Sequence, residues 1–186
     1  MIDLTRITDT LNRAGDMVLP LLARFIFAAV LLVYFWNAGL TKLGDGVMGL
    51  FRPALGAYAQ IFPRQMEAVG YDASQLGLFH WAVVVAGTAA EFILPFLIVV
   101  GLLTRLAALG MIGFVIVQSL TDIVGHGAGT GGWFDRASDA VILDQRAFWV
   151  LGLTVLVFKG AGVLSLDRLV GARWTVGPTA KPGAFL

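Results

Sequence analysis

Hydrophobic residues gather into four long runs along this chain, and polar and small residues return between them. The runs cover about Val18 to Thr41, Trp81 to Leu103, Leu106 to Thr121 and Ala147 to Leu164. Each is near the roughly 17 to 25 residues that a tilted helix needs to cross a bilayer. Only Thr104 and Arg105 part the second run from the third, which predicts a tight helical hairpin. Ahead of the first run, Leu4, Ile7, Leu11 and Ala14 share one helical face that Asp3, Arg6, Asp9 and Arg13 avoid. That pattern predicts an amphipathic interfacial helix over residues 1–16. A secretory signal would be shorter than the first run, would not contain Arg24, and would end in a small-residue cleavage site, so a retained helix is predicted. The fold class is therefore all-α: a membrane four-helix bundle in a single domain over residues 1–186, with residues 171–186 as a C-terminal tail.

The first outer loop, roughly Lys42 to Phe79, places Leu50, Phe51, Leu55, Tyr58, Ile61 and Phe62 at near-helical spacing. It predicts a short interfacial helix that ends before Pro63. The loop after the third run holds five glycines between Gly125 and Gly132. It lacks the Lys-Ser/Thr ending of a phosphate cradle and follows a span, so a flexible lid or turn is predicted there.

Composition narrows the function. The chain is 58% hydrophobic and 13% charged, with a mean hydropathy of +0.84. A soluble domain carries roughly a quarter charged residues, so this chain cannot cover a soluble surface. A net charge of +1 without a basic cluster gives no footprint for nucleic acid. The absence of cysteine excludes disulfides, thiol chemistry and thiolate-bound metals.

Arg6, Arg13, Arg105, Lys159, Arg168, Arg173 and Lys181 fall on one side, with Arg24 close behind. Lys42, Arg52, Arg64, Arg136 and Arg146 fall on the other. The positive-inside rule then predicts cytoplasmic termini and two long outer loops. Trp36, Trp81, Trp133 and Trp149 fall near the outer interface and Trp174 near the inner one.

Glu91 stands out chemically, because an ionisable group at mid-depth of a span marks a candidate functional site. It shares a helical face with His80, Val84, Gly87, Thr88 and Pro95. Pro95 frees the Glu91 carbonyl from its helical bond. Arg24 and Lys42, five turns apart, point the same way as Ala28, Leu31, Phe35 and Ala38, and Asn37 is a further polar group in that span. Gln118 aligns with Asp122 on the third span. Depth then predicts an outward-facing cup rimmed by His80, Lys42, Gln118, Asp122 and His126, with Glu91 at its floor. Two readings stay open. One is a ligand-binding or proton-linked site drawn from Glu91, Lys42, Arg24, Gln118, Asn37, His80, Asp122 and His126. The other is a structural network in which Glu91 bonds a neighbouring helix. Arg24 is then its best-placed partner from below, and Lys42 reaches it only if its helix ends early, near Gly39. Two histidines and Asp122 are too few for a metal centre, and none is predicted.

Three segments carry a family resemblance. "ARFIFAAVLLVYFWNAGLTKL" has Arg24 entering the helix and Gly39 and Lys42 leaving it, "EFILPFLIVVGLLTRLAAL" has Glu91, Gly101, Thr104 and Arg105, and "GAGVLSLDRLVG" has Gly162, Ser165, Leu166 and Asp167. In this order they resemble the DoxX/DoxD-like family of small four-helix bacterial membrane proteins, over about residues 20 to 170. The resemblance implies the bacterial cytoplasmic (inner) membrane. It also implies a subunit for quinone-linked oxidation of sulfur compounds, or a component of oxidative-stress or membrane-assembly complexes. No cofactor signature lies in the chain, so redox work requires a quinone in the cup or a redox protein partner. Any enzymatic role is then that of a subunit carrying no cofactor of its own. The alternatives are a non-catalytic scaffold and a small-molecule transporter. Gly110 and Gly113, or Ala86 and Ala90, suit either internal packing or the seam of a homo-oligomer.

Overall fold

The computed structural model describes residues 4–174, with side chains as far as Gly171. Lys181 and the rest of the tail, and the side chains of Arg173 and Trp174, lie outside the described residues. Every regular element among the described residues is helical. Four helices are long and apolar enough to cross a membrane: α1 (Leu4–Leu40), α4 (Leu78–Val100), α5 (Thr104–Gly125) and α6 (Val141–Lys159). Between α1 and α4 lie two short helices, α2 (Leu55–Ile61) and α3 (Pro63–Ala68). A last helix, α7, covers Leu166–Trp174.

The interior is apolar and tightly packed. Phe27, Leu31 and Phe35 of α1 meet Ile98 of α4, Ala107, Ala108, Met111 and Val115 of α5, and Leu153 and Leu156 of α6. Lipid tails are as apolar as this core, so helix association rests on close packing, and the two alanines let α5 approach its neighbours. The Phe35 ring meets Phe114 and Trp149 edge-on at 5.9 and 6.1 Å between centroids. Ile93, Phe96, Leu109, Ile116, Phe148 and Leu151 face outward. An apolar exterior of this extent needs lipid around it.

The amphipathic start is helical, but it runs without a break into the first span. At 1.5 Å per residue, α1 is about 55 Å long, far more than a hydrocarbon core of roughly 30 Å. A π-helical turn over Ala28–Leu32 widens α1 midway. The buried stripe is consequently Arg24, Phe27, Leu31, Phe35 and Gly39, and the Ala28 and Ala38 expected in it are only half-buried. In the first loop the expected helix ends before Pro63, and Pro63 opens α3 at the first helical position, where its missing N–H is harmless. Just before α4, the Asp72 carboxylate accepts from the Ser74 hydroxyl, the Gln75 amide and the Ser74 backbone N–H. These bonds, led by those from the two side chains, hold it below the usual carboxylate range.

The fourth span begins earlier and ends earlier than hydropathy predicts. It starts with a π-helical turn at Val141–Gln145 and stops at Lys159, where Gly160 and Gly162 take φ +78 and turn the chain. The third span is also longer than expected, ending in a π-helical turn at Thr121–Gly125. The segment after Gly160 returns to the hairpin between α4 and α5. Gly101 closes α4 with φ +72, and the two ends of the hairpin are capped from elsewhere in the chain. Arg24 donates to the carbonyls of Ile98 (3.0 Å) and Val99 (2.6 Å) at the end of α4, and to those of Ala161 (2.9 Å) and Leu164. Asp167 accepts from the amides of Leu103 (2.6 Å) and Thr104 (2.9 Å) at the start of α5. A cation thus meets orphan carbonyls and an anion meets orphan amides, as the helix dipoles favour. Ser165 caps α7 by accepting from the Arg168 amide at 3.3 Å.

Asp167→Ala should remove a helix cap worth about 1–2 kcal/mol. Its thermal midpoint in detergent should fall by a few degrees; an unchanged midpoint would show that the contact is idle.

Candidate functional site

Lys42 reaches Glu91 because α1 stops two residues short of it. The helix ends at Leu40, and the Lys42 amide bonds back to Gly39 O at 3.0 Å. Gly39 lets α1 press against α4, since a Cβ there would lie 2.7 Å from the Phe92 ring. At that contact the Lys42 ammonium donates to both oxygens of Glu91, at 2.9 and 3.0 Å, and to Ala38 O at 3.0 Å. Lys42 is 7% exposed and Glu91 4%. Along α4, Glu91 stands about 13 Å from the C-terminal end and about 19 Å from the N-terminal one. The Trp36 indole donates to Phe92 O at 3.3 Å, one residue from Glu91 and one turn before Pro95.

The pair lines a cavity of about 560 Å³ enclosed by α1, α4 and α5. Its walls are small or apolar: Ala86, Gly87 and Ala90 on α4, and Gly110, Gly113, Phe114 and Val117 on α5. A Cβ added at Gly113 would meet nothing within 4 Å. Val117 and Gly113 are also exposed on the outside of α5, so that wall reaches the lipid-facing surface. Gln60 and Ile61 of α2 line the end of the cavity nearest the first loop. His126 contacts Gln60 O through Nε2 at 2.9 Å, tying the third loop to this end.

Polar groups continue up the cavity from its floor. Gln118 donates through Nε2 to the Tyr34 hydroxyl at 3.1 Å, and both residues line the space. Asp122 lines it too and pairs with Arg146, which also donates to the Ser119 hydroxyl at 2.9 Å. Arg146 is 5% exposed and stands 6.0 Å from the centre of the Trp149 ring. A second hollow, about 610 Å³ between α1 and α6, has walls such as Leu22, Ile26, Val30, Phe148 and Leu151, with Gln145 as its polar member. It offers a guest little beyond the contacts that a lipid tail already makes.

The structure thus brings Lys42, Glu91, Gln118, Asp122 and His126 to one cavity and leaves three other candidates outside it. Arg24 does not touch Glu91. Its partners Ile98 and Val99 lie seven and eight residues further along α4, about 10 Å toward the C-terminal end. Asn37 is exposed on α1 and is not among the residues lining the cavity. His80 packs edge-on against Phe62 at 4.8 Å and against Phe79 at 5.7 Å, an aromatic cluster beneath the first loop. Tyr34 and Arg146 were not among the expected residues. Arg146 had a legible signal: it faces Asp122 across the loop that joins the third and fourth spans, with opposite charge. Among the described residues no group of three or more His, Asp or Glu side chains is arranged to hold a metal ion.

The sequence pattern of the DoxX family matches residues 19–127, more than half of the chain. The chain belongs to the DoxX family. The match covers the first span, the first loop and the central hairpin, and so takes in every residue lining the polar cavity. Comparison with curated proteins and with solved structures gives no match. This DoxX-family chain is a membrane protein with four apolar helices.

Proposed function

We propose that this protein is a membrane subunit that takes a small apolar ring compound, such as a quinone, into the cavity between its first three spans and supports a redox partner. The carrying observation is a buried ion pair on the floor of a space walled there by glycine, alanine and apolar side chains, with Tyr34, Gln118, Asp122 and His126 further along it. A ring fits between the small residues, and its tail leaves past Gly113 and Val117 into lipid. The Lys and Arg distribution supports cytoplasmic termini with the cavity in the outer half, and membership of the DoxX family supports the bacterial inner membrane as the setting. The chain binds and orients the ring; electrons come from the partner.

Gly113→Leu tests this reading without touching the polar groups. The added side chain has room to enter the cavity, so affinity for a short-tailed benzoquinone–hydroquinone couple, titrated calorimetrically in nanodiscs, should weaken at least tenfold while thermal stability is kept. Undiminished affinity of the variant, or no binding by the parent protein, would overturn the proposal.

A second reading has its own support. Both Glu91 oxygens are bonded to Lys42, so the pair also serves as a structural bridge from α1 to α4. A scaffold needs only that bridge, and it would show no ligand response at all.

A further inference from the structure

We infer that the cavity selects the hydroxyl-bearing form of its ligand, a phenol or hydroquinone, over a carbonyl-bearing form of the same ring. The inference rests on the ligand-binding reading above and adds which chemical form is held. An ammonium has three protons and no lone pair. The three acceptors around Lys42 Nζ, namely Glu91 Oε1, Glu91 Oε2 and Ala38 O, match that number. Lys42 therefore has no proton left to offer a guest. The Glu91 carboxylate is in the opposite condition. Each oxygen can accept about two bonds, each takes one from Lys42, and among the described residues no other donor bonds it.

The unused valence at the floor is thus that of an acceptor. A carbonyl arriving there would face lone pairs and could be bonded only by drawing Lys42 off Glu91, which would strand the carboxylate in an apolar space. A hydroxyl donates to the carboxylate and leaves the ion pair intact, and hydrogen bonds to ionised acceptors are among the stronger ones. Further out, the Tyr34 hydroxyl accepts from Gln118 and keeps its own proton. The far side of the ring accordingly meets a group that gives as well as takes, and selection is made at the floor.

Three ligands of one skeleton test this in nanodiscs: a decyl-hydroquinone, its dimethyl ether and the matching decyl-benzoquinone, titrated anaerobically with empty nanodiscs as reference. The hydroquinone should bind at least about tenfold tighter than either of the others, and Glu91→Gln, checked for helicity and monodispersity, should level the three. Quinone or ether binding as tightly as hydroquinone overturns the inference and leaves the ligand-binding proposal standing. No binding of any of the three overturns both. The series on the unmodified protein decides the matter even if the variant does not fold.

Discussion

Gly101→Ala is expected to abolish folding or to lower the thermal midpoint sharply. The residue closes α4 at φ +72, where an L side chain costs about 1–2 kcal/mol. The added carbon would also lie 2.7 Å from Ser165 Cβ and 2.9 Å from both Cζ and Nη2 of Arg24. Relief requires moving a buried guanidinium that holds four carbonyls. Uncoupling a buried charge from its partners costs about 3–5 kcal/mol. Together these reach the whole stability of an ordinary domain at its lower end, about 5 kcal/mol. Expression level and the melting curve in detergent report the outcome; a variant as stable as the parent would mean that the inner cage is not what holds the hairpin.

The second large effect concerns the ion pair, and its sign depends on how many charges are removed. Glu91→Leu alone leaves the Lys42 ammonium buried with only Ala38 O and should destabilise by about 3–5 kcal/mol. Lys42→Met alone should do the same to the carboxylate. The double variant Lys42→Met/Glu91→Leu should recover most of that loss, because apolar replacement of a complete buried pair is often neutral. A double-mutant cycle of melting free energies then gives a coupling of about 3 kcal/mol or more. Additive losses would show that the two side chains do not interact in the membrane.

The bundle was legible in the sequence because lipid leaves little choice: a spanning segment must be apolar and helical throughout. Glu91 was legible for the same reason, as a charge that such a segment tolerates only for cause. Periodicity gives the face of a residue but not what stands opposite, and this is why Arg24 was aimed at Glu91 rather than at the carbonyls ending α4. The π-helical turn at Ala28–Leu32 also shifts the register of α1, and no propensity in "AAVLL" announces it. His80 shares the helical face of Glu91 but lies three turns away, where the aromatic rings of Phe62 and Phe79 take it, and the polarity of Asn37 does not say which way its side chain turns. Arg146 was passed over because a charge near the end of a span draws no notice, although it is among the most buried in the molecule. The end of the fourth span was misplaced because Ala161 to Leu164 are apolar, yet the glycines among them turn the chain.

The inner caps carry a consequence for the order in which the protein is made. Asp167 lies 63 and 64 residues after the amides it bonds, and Ala161 and Leu164 lie 137 and 140 residues after Arg24. At about 5 to 20 residues per second, the turn between the central helices waits roughly 3 to 13 seconds in the ribosome's wake before its last bonding groups exist. During that interval the nascent hairpin sits in the bilayer with two backbone amides unpartnered and a guanidinium lacking two of its four carbonyls. The segment that follows the fourth span is therefore the clasp that fastens an arrangement inserted long before it.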